Sequence, residues 1–478
     1  MDAASIQFVL FGIVVAIISN FNSSRVWRSI VLLSASVVFL FLQANSPFEF
    51  LPLAAFLLLG YGGVAMLDHG WSRYLVWSIV AVIFAYIWLK KYTFLPEGIF
   101  LHFPYFTLGL SYIFFRVLHL LIETGEGSET AHIGLGAYLL YTLNFTTFVS
   151  GPIQRYDEFA RDQFAVQPIS LGPRVIGLQV ERIIRGFFKV NVLAMLLHSV
   201  QQDALAHMLQ PMPLGMRLFS AFQLAVVYPF FLYANFSGYI DIVIALARLM
   251  RVRLPENFDR PFSASSFLDF WNRWHITLSS WLKTYVYNSL LLGLMRQFPS
   301  PAIESFIGVF SFFVTFFLVG IWHGRTSEFV VFGLLQGGGV ATNKLWQLGL
   351  TRILGRGRYK TLTRNSVYIA FGRGATFSWF AFTLFWFWAD WKQIDMIFAA
   401  IDGFQWLIVW LTIVLCASVV LAGWERLRAR LLSIQTNGNP ALTNRYARTA
   451  FTSALALCSF VLTLLLNQPA PALVYKAF

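Results

Sequence analysis

Long apolar runs alternate with short polar breaks along the whole chain. They lie near residues 6–21, 26–42, 48–67, 74–89, 103–122 and 135–150, then near 174–200, 217–234 and 236–249. Three more lie near 284–295, 303–322 and 328–349, and the last near 374–390, 404–424 and 448–466. Most approach the roughly 20 residues that a helix needs to cross a bilayer. In lipid the backbone must satisfy its own polar groups, which selects helices for such runs. The pattern predicts an all-α, polytopic membrane protein of roughly 11–14 transmembrane and re-entrant helices, in one membrane domain over residues 1–478. The first run, Ile6–Ile18, has no basic residue before it and no small-residue cleavage pattern after it, so it reads as a retained span.

The breaks carry their own information. Glu123–Glu129 is acidic and contains glycine, and predicts a loop. SGPIQRYDEFARD at 150–162 interrupts the hydrophobicity with Gly-Pro and then charges, and predicts a loop or interfacial helix. Arg352–Arg373, and the stretch holding Arg426, Arg428, Arg430, Arg445 and Arg448, read as basic loops. The positive-inside bias puts both on the cytoplasmic side.

The densest polar and aromatic passage is Leu254–Leu282, LPENFDRPFSASSFLDFWNRWHITLSSWL. Ser265 or Ser266 suits a helix N-cap, and Asp269 follows Ser266 at capping-box spacing. Phe267, Phe270, Trp271, Trp274, Leu278, Trp281, Leu282 and Tyr285 then recur at three- and four-residue steps, the apolar face of a single helix. Arg273, Thr277, Ser280, Lys283 and Thr284 fall on the opposite side, with His275 at the border. This helix is too polar to span a bilayer comfortably; it would lie in the interface or line a cavity.

Composition narrows the class. The chain is 58% hydrophobic and only 12% charged, about half the charge of a soluble domain. Its net charge of +13 suits cytoplasmic loops facing anionic lipid, or an acidic partner. The basic residues are scattered between spans and not gathered into a stripe, which argues against nucleic-acid binding. Cys416 and Cys458 both sit in apolar runs and suggest neither a disulfide framework nor a metal cluster.

Few residues carry candidate chemistry. GIWHGRTSE at 320–328 closes an apolar run, so His323 sits at the end of a span or within the membrane, beside Trp322. Ionisable groups at such depth are costly and point to function, and an imidazole suits a general base acting on a hydroxyl. A helix-end histidine bonding a carbonyl fits the position equally well. His275, beside a tryptophan stripe, reads from position alone as a structural group. Asn272 and Arg273 would bind an acyl carbonyl or an anion, or anchor the helix to lipid phosphates. Asp241 interrupts an apolar helix and needs a partner, Arg248 or an arginine from 251–273, unless it orients a histidine. His198 and Asp203 have an H-x-x-x-x-D spacing that chance explains. No G-x-S-x-G elbow is present, against an α/β-hydrolase. Gly333 and Gly337 have the small-xxx-small spacing of helix packing. No histidine belongs to a metal-ligand set, so no catalytic metal is expected.

Four stretches together resemble the membrane-bound O-acyltransferase family over most of residues 100–350. They are SGPIQRYDEF at 150–159, NFSGYIDIVIALARLMRVRLPENFDRPF at 235–262, FWNRWHITLSSWL at 270–282 and GIWHG at 320–324. The resemblance implies a polytopic helical fold and transfer of an acyl group from a thioester to a hydroxyl or amine. By resemblance His323 is the principal catalytic residue and His275 the second polar position. Asn272, Arg273, Trp274, Trp322 and Asp241 are the expected substrate-binding residues. Within the family the chain is similar to the bacterial cell-envelope branch. FWNRWHITLSSW and GPIQRY look like the D-alanyl transferases of teichoic acids, while the terminal ALVYKAF at 472–478 looks like the alginate and cellulose O-acetylation branch.

The expectation is an O-acyltransferase of the bacterial cytoplasmic (inner) membrane, with no bound cofactor. Its co-substrate would be an acetyl or D-alanyl thioester, on coenzyme A or an acyl carrier protein. The acceptor would be a hydroxyl of an extracytoplasmic polymer, or of an extracytoplasmic acyltransferase partner. A small acidic carrier protein would dock on cytoplasmic basic loops. The rival reading is a transporter of an acyl donor or envelope precursor without chemistry.

Overall fold

The computed structural model describes residues 5–127, 132–436 and 445–466. The ALVYKAF stretch and the end of the acidic loop, residues 128 and 129, lie outside these. Among the described residues the regular secondary structure is helical, apart from one isolated bridge pair. Seven helices among them are long and apolar enough to cross a membrane: Pro47–Asp68, Ser72–Leu89, Pro173–Leu209, Leu214–Leu249, Ile303–His323, Gly403–Leu431 and Tyr446–Leu465. Shorter apolar helices, such as Ile6–Ser19, accompany them.

The chain divides into two compact units. The first comprises the described residues of 5–190 and 236–256. Its centre is aromatic, with Phe8, Phe39, Phe145 and Phe148 all buried and in ring contact. Gly12 leaves room for the Leu246 side chain. The buried Arg116 guanidinium donates to the carbonyls of Tyr141, Thr142 and Thr147 at 3.1, 2.8 and 2.6 Å. These bonds satisfy carbonyls left over where the helix Leu135–Thr142 ends, and they hold the approach to the SGPIQ turn. His119 Nε2 accepts from the Tyr156 backbone N–H, and Gln154 donates to the Arg253 carbonyl. The GPIQRY turn is thus fixed from both sides.

The second unit comprises residues 191–235 and the described residues from 257 to 466. Its two longest contacts are between helix pairs. Pro301–His323 packs along Ser327–Leu362, and Ser366–Thr383 packs along Gly403–Thr436. The first pair meets through glycine. A Cβ on Gly333 would lie 2.5 Å from the Phe317 carbonyl oxygen, and one on Gly337 would lie 2.5 Å from that of Phe313. A Cβ on Gly320 would strike the Gly333 backbone. The small-residue spacing therefore does serve helix packing.

Several expected boundaries move. The runs at 217–234 and 236–249 form one 36-residue helix, Leu214–Leu249. The Asn-Phe-Ser-Gly dip between them is no loop: Gly238 faces Gly186 so closely that a Cβ on either would meet the other's carbonyl oxygen at 2.6–2.7 Å. Small and polar residues break the hydropathy there because backbones approach, not because the helix ends. The basic stretch Arg352–Arg373 is helical over most of its length, since the helix from Ser327 runs to Leu362 with one non-helical residue at Gly355. Likewise the helix from Gly403 continues through Arg426, Arg428 and Arg430 to Thr436.

Candidate active site

The polar passage folds around a short antiparallel contact. Phe258 and Trp274 form the bridge pair, Asp259 N–H donates to the Arg273 carbonyl, and Ile276 N–H donates to the Asn257 carbonyl. Ser266 caps a five-residue helix, Phe267–Trp271, by accepting from Asp269 N–H at 3.2 Å. The expected single helix then breaks. A new one, Ile276–Leu282, starts after His275, whose backbone is left-handed at φ 45°, ψ 53°. The three- and four-residue apolar pattern continues across the break, because Phe270, Trp274 and Leu278 all still face the interior. Pattern alone could not reveal the turn. A non-glycine residue in this region costs of order 1–3 kcal/mol and persists where surrounding contacts impose it.

Asn257 supplies those contacts. Its Oδ1 accepts from the Thr277 backbone N–H at 3.0 Å and the Thr277 hydroxyl at 2.8 Å, while its carbonyl holds Ile276. Asn257 and His275 are both 0% exposed. Burial pushes the His275 pKa down to about 3, so the imidazole is neutral over the ordinary pH range.

His323 arrives from the last turn of Pro301–His323. Gly324 ends that helix with extended backbone, and a Cβ there would collide with the Phe329 ring. The Trp322 indole contacts both imidazoles, with centroids 6.4 Å from His275 and 4.7 Å from His323. Phe387 and Phe332 close the far side of His323 at 5.2 and 5.9 Å. One helical turn beyond these phenylalanines, Gln336 Nε2 donates to Thr383 Oγ1 at 2.8 Å. Two buried imidazoles thus stand together among aromatic rings, the kind of setting in which an imidazole can serve as a base.

The other expected site residues fall in different places. Trp274 is buried against Phe258, Phe270 and Phe380 and walls the His275 turn. Arg273 is engaged with Asp269 at 3.0 Å and Asp259 at 3.7 Å. Asn272 is exposed, on the side of the chain opposite its buried neighbours Trp271 and Trp274. Asp241 belongs to the first unit. It is paired there with Arg182 at 2.9 Å and Lys189 at 2.7 Å, and Arg182 also pairs with Glu256. Neither partner is among those expected: Arg248 donates instead to the Ser170 carbonyl. The pairing is long-range in sequence, so nothing local could signal it. Asn257 and Gln336 were missed for the same reason. The one sequence signal for Asn257 was its place between Pro255 and Phe258, in a polar stretch beside the aromatic passage.

A family model described as MBOAT, membrane-bound O-acyltransferase family, matches residues 73–363, more than half of the chain and both histidines. The chain belongs to the membrane-bound O-acyltransferase family. Relatives of two kinds support this membership. A teichoic acid D-alanyltransferase of Streptococcus thermophilus is 31% identical over 246 residues, 50% of this chain and 57% of that protein. The one from Bacillus subtilis is 28% identical over 229 residues, 48% and 56% of the two chains. A probable alginate O-acetylase of Pseudomonas fluorescens is 31% identical over 237 residues, 50% and 44%. The matched stretches thus span about half the length of these relatives.

Proposed function

We propose that this protein is an O-acyltransferase that moves an acetyl or D-alanyl group from a thioester to a hydroxyl of an extracytoplasmic cell-envelope polymer, or of a partner protein that passes it on. The observation that carries the reading is the pair of buried histidines joined by Trp322 in an aromatic cage, in a chain of this family. The thioester enters from the cytoplasm on coenzyme A or a small acidic carrier protein. His323 removes the acceptor hydroxyl proton as oxygen attacks the thioester carbonyl. The C–O bond forms, the C–S bond breaks, and the thiol leaves with a proton. Neutral His275 orients the acyl group. The aromatic walls keep out water that would hydrolyse the thioester. Arg273 and Asn272 stay outside this chemistry, one engaged by two carboxylates and the other exposed. The relatives are named for group transfer, which favours this reading over a transporter.

The carrier docks on cytoplasmic basic surface, motivated by the net charge of +13. A pull-down that fails at low salt contradicts that step. The site works in the bacterial cytoplasmic membrane. Protein in nanodiscs, given radiolabelled acetyl-CoA and separately a labelled D-alanyl carrier thioester, decides the acyl group. One donor loses its label to an acceptor. If both thioesters stay intact in the presence of acceptor, the proposal fails.

A further inference from the structure

The amide of Asn257 is fixed in orientation. Its oxygen must face Thr277, because a backbone N–H can only donate. Its Nδ2 therefore points the other way. Among the described residues no acceptor lies within reach of that nitrogen, though the side chain is fully buried. A buried unpaired donor costs about 1–3 kcal/mol, and such a group calls for an explanation. The same residue is pinned to Ile276 and Thr277, the two positions that follow His275, so its free donors stand beside the His275 turn.

We infer that Asn257 Nδ2 is the hydrogen-bond donor for the acyl carbonyl oxygen of the bound thioester, and for the oxyanion that it becomes. The inference rests on the acyl-transfer reading above. As the acceptor oxygen bonds to the carbonyl carbon, the C=O electron pair moves onto oxygen. Asn257 donates to that oxygen. The pair then returns as the C–S bond breaks. A donor held rigidly in a dry site acts on this developing charge without reorganising. The clamp on the Thr277 N–H and hydroxyl supplies the rigidity.

Asn257→Asp separates this role from a structural one. One carboxylate oxygen still accepts from Thr277, while the other replaces the donor nitrogen. The expected result is a loss of about 10²–10³-fold in kcat with little change in KM for the thioester. Thr277→Val keeps both Nδ2 hydrogens but loses one anchor, and is expected to cost under about tenfold in rate. If Asn257→Asp keeps its rate while wild type transfers label, the assignment is wrong and the acyl-transfer reading stands. If Thr277→Val costs as much as Asn257→Asp, the residue only holds the turn. If wild type transfers label from neither thioester, both readings fall. A second readout needs no variant at Asn257. Carbonyl-¹³C acetyl-CoA and its D-alanyl counterpart are bound to His323→Ala protein, and the infrared stretch is compared with that in solution. A lowered frequency for the donor that wild type uses is expected, and an unshifted one overturns the inference.

Discussion

Alanine at Gly333 or Gly337 tests whether close helix contact sets the position of His323. A Cβ at either site would lie 2.5 Å from a carbonyl oxygen of the neighbouring helix, that of Phe317 or Phe313. An unstrained carbon–oxygen contact is about 3.3 Å, so the helices must part locally by about 0.8 Å. Overpacking of this kind costs about 1–3 kcal/mol. Phe317 and His323 share one helix, and Gly333 follows Phe332, which packs on the His323 ring. The displacement therefore reaches the imidazole and its cage together. A shift approaching 1 Å in a catalytic group can cost about 10²-fold in rate. Gly338 is the control. It lies on the same helix with nothing within 4 Å of its added Cβ, so alanine there only gains helix propensity, up to about 1 kcal/mol. The assay is thermal unfolding in detergent together with the initial rate of thioester consumption. Gly333→Ala and Gly337→Ala should melt lower and react much more slowly than wild type, and Gly338→Ala should match it or melt higher. Wild-type rate and melting temperature in Gly333→Ala would refute the reasoning.

Asp241→Asn should lower the melting temperature through loss of the Arg182 and Lys189 pairs, yet leave turnover per folded molecule near wild type. A selective loss of turnover, with normal melting, would return Asp241 to the site. Asp162 gives a pH test. Burial alone would raise its pKa, but hydrogen bonds from the Arg253 side chain and backbone outweigh this and hold it below the ordinary value. A depressed carboxyl stabilises the fold above its unfolded value of about 3.9 and loses that contribution as pH falls through the folded value. Wild type should therefore lose melting temperature on acidification below about pH 4, and Arg253→Gln should start lower and fall less steeply. Identical acid slopes would show that the pair is energetically silent. Gly324→Ala should cost activity, because its Cβ collides with the Phe329 ring beside the His323 cage. Unchanged activity in that variant would mean that the cage accommodates the methyl group.

The sequence exposed the histidines well and their surroundings poorly, for physical reasons. His323 stood out because an ionisable residue at the end of an apolar run is costly, and the Ser266 cap followed from local capping chemistry. The break at His275 stayed hidden because the apolar spacing keeps step through the turn. What imposes the turn is a contact with Asn257–Asp259, some 14–20 residues earlier in the chain. Asp241 was legible as a residue needing partners, but Arg182 and Lys189 lie 59 and 52 residues away. The Asn235–Gly238 dip read as a span boundary because hydropathy cannot distinguish a loop from a close backbone contact. Local chemistry was readable; long-range pairing was not.

The central claim is that His323 is the base that activates the acceptor. The most direct measurement is single-turnover label transfer from acetyl-CoA and from a D-alanyl carrier thioester, by wild type and His323→Ala in nanodiscs. Matched melting curves establish that the variant is folded. The account predicts that one donor transfers its label to the acceptor in wild type, and that the variant binds that donor but leaves it intact. Transfer by His323→Ala at the wild-type rate would contradict it and make His323 a structural residue.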